Sequence, residues 1–169
     1  MGVQVDNYCT TSFVLKDEKA VQYIQKLCEL LTDESNLYNG YLSSDAWCSM
    51  QQYGKEPNSF IIKTGGYMDS GPELRASVID RLFGEETEKE ELSEEEEELE
   101  MEQDHERDPV SLWDEIQKNL KEGTWFFVDG YSWDRSNAYT SIHFLHQDGR
   151  RKYVASYDIK KKILQDMKI

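Results

Sequence analysis

The chain has little cysteine chemistry to offer. Its three cysteines, Cys9, Cys28 and Cys48, stand far apart, form no C-x-x-C pair and have no histidine at zinc-ligand spacing. An odd count, with no segment resembling a secretory leader, leads us to expect reduced thiols in a cytoplasmic protein. No apolar run approaches the roughly 18 residues that cross a membrane, so no membrane partner is expected. Gly2 stands where a myristoylated glycine would, but position six is Asp6 rather than the Ser or Thr of that signal. Catalytic and cofactor patterns are missing too. There is no G-x-S-x-G and no H-E-x-x-H, and Gly65-Gly66 fits neither a P-loop nor a dinucleotide fingerprint. No D-x-[DN]-x-[DN]-G loop is present to wrap carboxylates around calcium. His143 and His146 look like an H-x-x-H pair, but on a strand residues three apart point to opposite faces and cannot share a metal. His105 lies within an acidic run with no nucleophile near it in sequence. A nucleophilic pair of Cys9 with His143 would need a proximity that sequence does not supply. We expect no cofactor and no metal.

Acidic charge is what the chain does have. It carries 34 Asp and Glu against 19 Lys and Arg, a net charge of −15. That charge is not spread evenly. Residues 85–108 hold 15 acidic side chains and two basic ones, Lys89 and Arg107, for a net −13. The other 145 residues (169 less 24) therefore carry −2. The protein reads as a nearly neutral body with one concentrated negative element. That body is long enough for a proper core, and an aromatic share of 12% argues against wholesale disorder.

The hydrophobic pattern divides the body in two. Val3–Val5 and Thr10–Leu15 are β-rich. Asp17 is placed to cap a helix whose Val21, Ile24, Leu27, Cys28 and Leu31 recur at spacings of three and four. Asp33–Asn39 is turn-like, and Leu37–Met50 has no clean period. Ser59–Thr64 predicts a strand ended by Gly65-Gly66. Ser70-Gly71-Pro72 predicts the start of a second helix, with Leu74, Val78, Ile79 and Leu82 on its buried face and Gly84 as C-cap. After the acidic run, Asp108 reads as N-cap and Pro109 as first residue of a third helix with Leu112, Trp113, Ile116 and Leu120 inward, stopped by Gly123. Residues 124–128, 138–146 and 152–157 predict three strands, the last two joined by a Gln147-Asp148-Gly149-Arg150 turn. Ile159, Ile163 and Met167 suggest a short C-terminal helix. No internal repeat is visible. The expectation is an α+β domain with helices on one face of a mainly antiparallel sheet. Residues 1–84 would form its N-terminal part, 85–108 an acidic insert, helical or disordered, and 109–169 its C-terminal helix, three-stranded meander and basic tail.

Three readings of the insert follow from its chemistry. Dense like charge resists burial, so it can be a solvated loop. Glutamate favours helix, and residues 87–103 contain no Pro or Gly, so it can be an exposed helix with Leu92 and Leu99 on one side, despite Glu–Glu repulsion four residues apart. The third reading is functional. As a helix, 24 residues would span about 36 Å, one carboxylate per ~2.4 Å, the same order as the charge spacing of duplex DNA. Glu94, Glu95, Glu96, Glu97, Glu98, Glu100, Glu102 and Asp104 are its densest part and the candidate partner-binding carboxylates. Such a row suits the basic channel of a nucleic-acid-binding protein, and no direct nucleic-acid binding by the row itself is expected.

Two further segments stand out. Asp129–Arg135 reads as an inter-strand loop in which Tyr131, Trp133 and Arg135 are the residue types that dominate interface hot spots. The tail from Gly149 to Ile169 has seven basic and two acidic residues; it can neutralise the insert, Lys160-Lys161-Lys162 can contact a nucleic acid or an acidic partner, or the cluster is only a solvated surface. The leading expectation is a non-enzymatic inhibitor or antagonist that engages the basic surface of a nucleic-acid-binding protein. Small acidic proteins of this kind are frequent among phage and mobile-element counter-defence proteins, an analogy of class alone. The alternatives are a small enzyme pairing Asp129 or Asp134 with His143 or His146, and a toxin-neutralising immunity protein whose contacts lie on the folded body.

Overall fold

The computed structural model describes residues 4–9, 11–38, 47–68, 71–83, 94–96, 98–99, 108–134 and 137–155. Asp17 opens helix α1 (Glu18–Leu30), its carboxylate accepting the Ala20 N–H at 2.7 Å. That bond satisfies one of the free amides of the first turn, the role the sequence assigns to Asp17. Val21, Ile24, Leu27, Cys28 and Leu31 are all buried, as their spacing predicts. Beyond α1, Ser35 donates its amide and its hydroxyl to the Asp33 carboxylate, which these bonds hold below its ordinary pKa, and a 3-10 turn follows over Glu34–Asn36.

Seven of the strands form one antiparallel sheet. β1 (Gln4–Tyr8) and β2 (Phe13–Val14) both pair with β4 (Ser59–Met68), which pairs along its other edge with β3 (Trp47–Gln52). β1 then pairs with β7 (Trp125–Asp134), β7 with β8 (Asn137–His146), and β8 with β9 (Arg151–Ala155). The fold is α+β with a mainly antiparallel sheet. Strands from both ends of the chain share that sheet, with β1 seated between β4 and β7.

Alternation along the strands separates two faces. Phe60 and Ile62 on β4, Phe126 and Val128 on β7 and Leu145 on β8 are buried on the inner face. There they meet α1 and α3 (Leu112–Lys118), whose Leu112, Trp113 and Ile116 are buried. Phe126 packs edge-on to Phe13 at 4.9 Å between centroids and lies 5.6 Å from Trp113. Gln117 ties α3 to the last hairpin, its amide donating to the carbonyls of His146 (2.8 Å) and Arg150 (3.1 Å). The hairpin turn is the one expected at residues 147–150, with Gly149 at φ +100°.

Four expectations are corrected. Gly65-Gly66 does not end its strand; β4 runs on to Met68. Asn7 pairs with Thr64 and Val5 with Tyr67, so two glycines oppose the single residue Asp6. This is a β-bulge, with Gly66 at the positive φ of +80° that glycine takes without strain. The second helix, α2 (Ala76–Phe83), starts at Ala76 rather than near Pro72. The Pro72 carbonyl is taken by the Leu112 amide, and Glu73–Leu74 forms β5 against β6 (Val110–Ser111). For the same reason α3 begins after Ser111 instead of at Asp108-Pro109. The buried faces are as expected: Leu74, Val78 and Ile79 are buried and Leu82 half-buried, and Leu112, Trp113, Ile116 and Leu120 are buried. The fourth correction is the 129–135 segment. It is no loop as far as Asp134, because β7 continues in register with β8 to Asp134 opposite Asn137. Gly130 is buried between Asn7 and Ser141, so Asp129-Gly130 is strand and not turn. Gly84 and the 156–169 segment, including Lys160–Lys162, lie outside the described residues.

Candidate functional site

The acidic insert is described at residues 94–96, 98–99 and 108; over 94–96 and 98–99 the backbone is helical and the side chains are exposed. Leu99, which a helix would have allowed against a core, is 56% exposed. Glu94, Glu95, Glu96 and Glu98 therefore present carboxylates to solvent; Glu97, Glu100, Glu102 and Asp104 lie outside the described residues. The cations at the start of the basic tail are engaged elsewhere. Arg150 bonds Asp148 at 2.8 Å and lies over the Trp125 ring, 5.4 Å from its centroid. Arg151 reaches Asp114 and Gln117, both at 2.7 Å.

The second candidate region lies on the sheet face opposite the helices. Trp125, Phe127, Asp129 and Tyr131 of β7 point there: Trp125 and Tyr131 are exposed, Phe127 and Asp129 half-buried. The Trp125 and Phe127 rings stack at 5.9 Å, and Phe127 meets Phe144 edge-on at 5.3 Å. On β1, Asp6 lies opposite Tyr131 and Tyr8 opposite Asp129. Side chains directly opposite on antiparallel strands have Cβ atoms about 5 Å apart. Trp47, 40% exposed, lays its indole across Gly65, where an added Cβ would meet Trp47 Cε2 at 2.7 Å and Asp6 Oδ1 at 2.8 Å. The bulge glycine thus lets Trp47 and Asp6 close over the same spot. Neither Asp6 nor Asp129 forms an ion pair within the described residues. Burial raises the pKa of Asp129 above its ordinary value.

Of the predicted hot-spot residues, Tyr131 is exposed on this face. Trp133 sits on β7 opposite Ala138, with its side chain outside the described residues, as is Arg135. Asp6, Tyr8, Trp47 and Trp125 were not among the sequence candidates. Trp125-Phe126-Phe127-Val128 is apolar throughout, so no alternation says which two rings face out. Tyr8 and Asp6 fall in a short strand whose inward residue, Asn7, is itself polar.

The acid–base pair of the enzyme alternative is not brought together among the described residues. His143 is the cross-strand partner of Val128 on the inner face, while Asp129 points to the outer one. His146 does share the outer face, but it lies opposite Trp125, four residues from Asp129, about 13 Å along the strand. Its ring contacts Asp148 at 2.8 Å and Trp125 edge-on at 4.5 Å. Cys9 and His143 are also apart, with β7 and its buried Val128 between β1 and β8. Burial pushes the Cys9 thiol up to about 11, and a hydrogen bond shared with Cys28 together with burial pushes Cys48 up as well. Thiols so placed are held protonated and make poor nucleophiles. Asn7 and Thr64, paired across β1 and β4 and fully buried, have side-chain polar atoms with no hydrogen-bond partner among the described residues. Among the described residues no three His, Cys, Asp or Glu side chains gather at metal-binding range, and no helix is long and apolar enough to cross a membrane. No protein-family model, curated protein or solved structure matches this chain.

Proposed function

We propose that this protein is a non-enzymatic, acidic protein-binding antagonist, acting in the cytoplasm on the basic, nucleic-acid-binding surface of a partner protein. One observation carries the reading: the glutamates at 94–96 and 98 are exposed on helical backbone, inside a 24-residue run with net charge −13, next to a body of net charge −2. A row of carboxylates at helical rise approaches the charge density of a nucleic-acid backbone. It draws a basic partner in by long-range attraction and competes for the groove that partner keeps for phosphates. The body supplies contacts of defined shape.

The test compares the intact protein with a variant carrying Gln at Glu94, Glu95, Glu96, Glu97, Glu98, Glu100 and Glu102 and Asn at Asp104. Eight charges are removed, taking the net charge from −15 to −7. Partners are captured from host lysate at about 50 and 200 mM salt and challenged with duplex DNA. The expected result is a basic partner that the intact chain holds at low salt, that DNA displaces, and whose affinity falls by about a thousandfold over that salt range. Capture that is equal for both proteins and indifferent to salt sinks the reading. Loss of capture on changing Tyr131, with the glutamate variant unaffected, would instead favour an immunity-type contact on the body, for which the exposed Tyr8, Trp47 and Tyr131 are the motivation.

A further inference from the structure

The outer face of β1 and β7 alternates carboxylate and phenol in both directions. Asp6 lies opposite Tyr131 and Tyr8 opposite Asp129; along each strand the acid and the phenol are two residues apart, on the same side. Tyr8, Tyr131 and Trp47 are 36%, 39% and 40% exposed. A guanidinium is the side-chain group that uses both features together. It stacks flat on aromatic rings and pairs through its fork of N–H donors with a carboxylate, whereas an ammonium is a strongly hydrated point charge. Arg150 already lies over Trp125 elsewhere on this sheet face. Among the described residues the cation bordering the patch is Lys63, opposite Tyr8 rather than either carboxylate.

We propose that Asp6, Tyr8, Asp129 and Tyr131, bordered by Trp47, form an arginine-reading patch that seats a guanidinium from the basic partner. This rests on the antagonist reading and adds to it the recognition of one residue type. The insert attracts positive charge of any kind; the patch selects arginine over lysine. Among the described residues the carboxylates lack a counter-ion, and the charge of an arginine-rich surface is complementary to both elements.

The probes are two peptides of equal length and charge, one of alternating Arg and Gly, the other of alternating Lys and Gly. Binding is followed by calorimetry and by the Trp47 indole N–H resonance. The native chain is expected to bind the arginine peptide several-fold more tightly and to shift the Trp47 signal with that peptide. The D6N/D129N double variant should lower arginine-peptide affinity about tenfold and bring the two peptides level. Tyr131→Leu should shrink the preference, while Tyr131→Phe, which keeps the ring, should preserve it. Neutralising the insert as above should weaken both peptides alike and leave their ratio unchanged. Equal affinity for the two peptides, or a preference that survives D6N/D129N with native amide spectra, overturns the patch while the antagonist reading stands. No binding of either peptide at low salt overturns both.

Discussion

Asp129 sits half-buried on the outer face with no ion pair within the described residues, and burial raises its pKa. The folded state holds the proton more tightly than the unfolded chain, so the charged carboxylate costs stability above the raised pKa, and the cost disappears as pH falls below the unfolded value. Tyr8 and Ile142 lie opposite it on β1 and β8, Lys63 one strand beyond, and the nearby Cys9 thiol feels its charge. Asp129→Asn is expected to raise Tm at pH 7 by on the order of 1 °C, the gap closing as pH is lowered through the carboxylate range. Thermal melts over a pH series measure it; a Tm lowered at pH 7 would contradict it. Thr64 offers the opposite kind of residue. Among the described residues its hydroxyl is buried without a partner, beside the equally unpartnered Asn7 amide. Thr64→Val keeps the shape and removes the orphan, so urea denaturation should find it neutral or stabilising by up to about 1 kcal/mol. A loss larger than that would mean a bonded water holds the hydroxyl in solution. Sequence singled out Asp129 only as a carboxylate of a supposed loop and Thr64 not at all, because desolvation depends on what a side chain is packed against and not on its neighbours in the chain.

Elements were legible where periodicity and capping agree. α1 carries an apolar stripe at helical spacing and an aspartate at the right place, and both perform as read. Asp17→Ala removes the acceptor for the Ala20 amide and is expected to cost about 1 kcal/mol, seen as a Tm lower by about 2–4 °C; an unchanged melt would show the cap bond to be idle. The starts of α2 and α3 were misplaced for one shared reason. Gly71-Pro72 and Asp108-Pro109 both have good helix-start chemistry, but the backbone at 73–74 and 110–111 pairs with itself as β5 and β6. A ladder between segments separated by the whole insert has no signature in either segment alone. Gly65-Gly66 and Asp129-Gly130 misled in the same way: glycine marks turns, and it equally marks a bulge or a place where neighbouring groups close in. At Gly65 those groups are the Trp47 indole and the Asp6 carboxylate. Gly130 is buried in the sheet.

At the scale of the whole molecule, the charge is divided from the fold. The near-neutral body packs helices on one face of its sheet, and the insert between α2 and α3 holds almost all of the net charge. For that reason the proposed antagonist activity is expected to be strongly salt-dependent, while the choice of arginine over lysine resides in the body and should survive neutralisation of the insert. Sequence by itself determined the charge segregation, the α1 stripe, the buried faces of the later helices and the C-terminal hairpin. These depend on composition, spacing and short-range turn chemistry, all local quantities. Only the tertiary structure decided that β1 lies between β4 and β7, and with it the meeting of Asp6 with Tyr131 and Tyr8 with Asp129. Those pairs join residues more than a hundred positions apart, and their juxtaposition is fixed by strand register across the sheet, which no local pattern in either strand encodes.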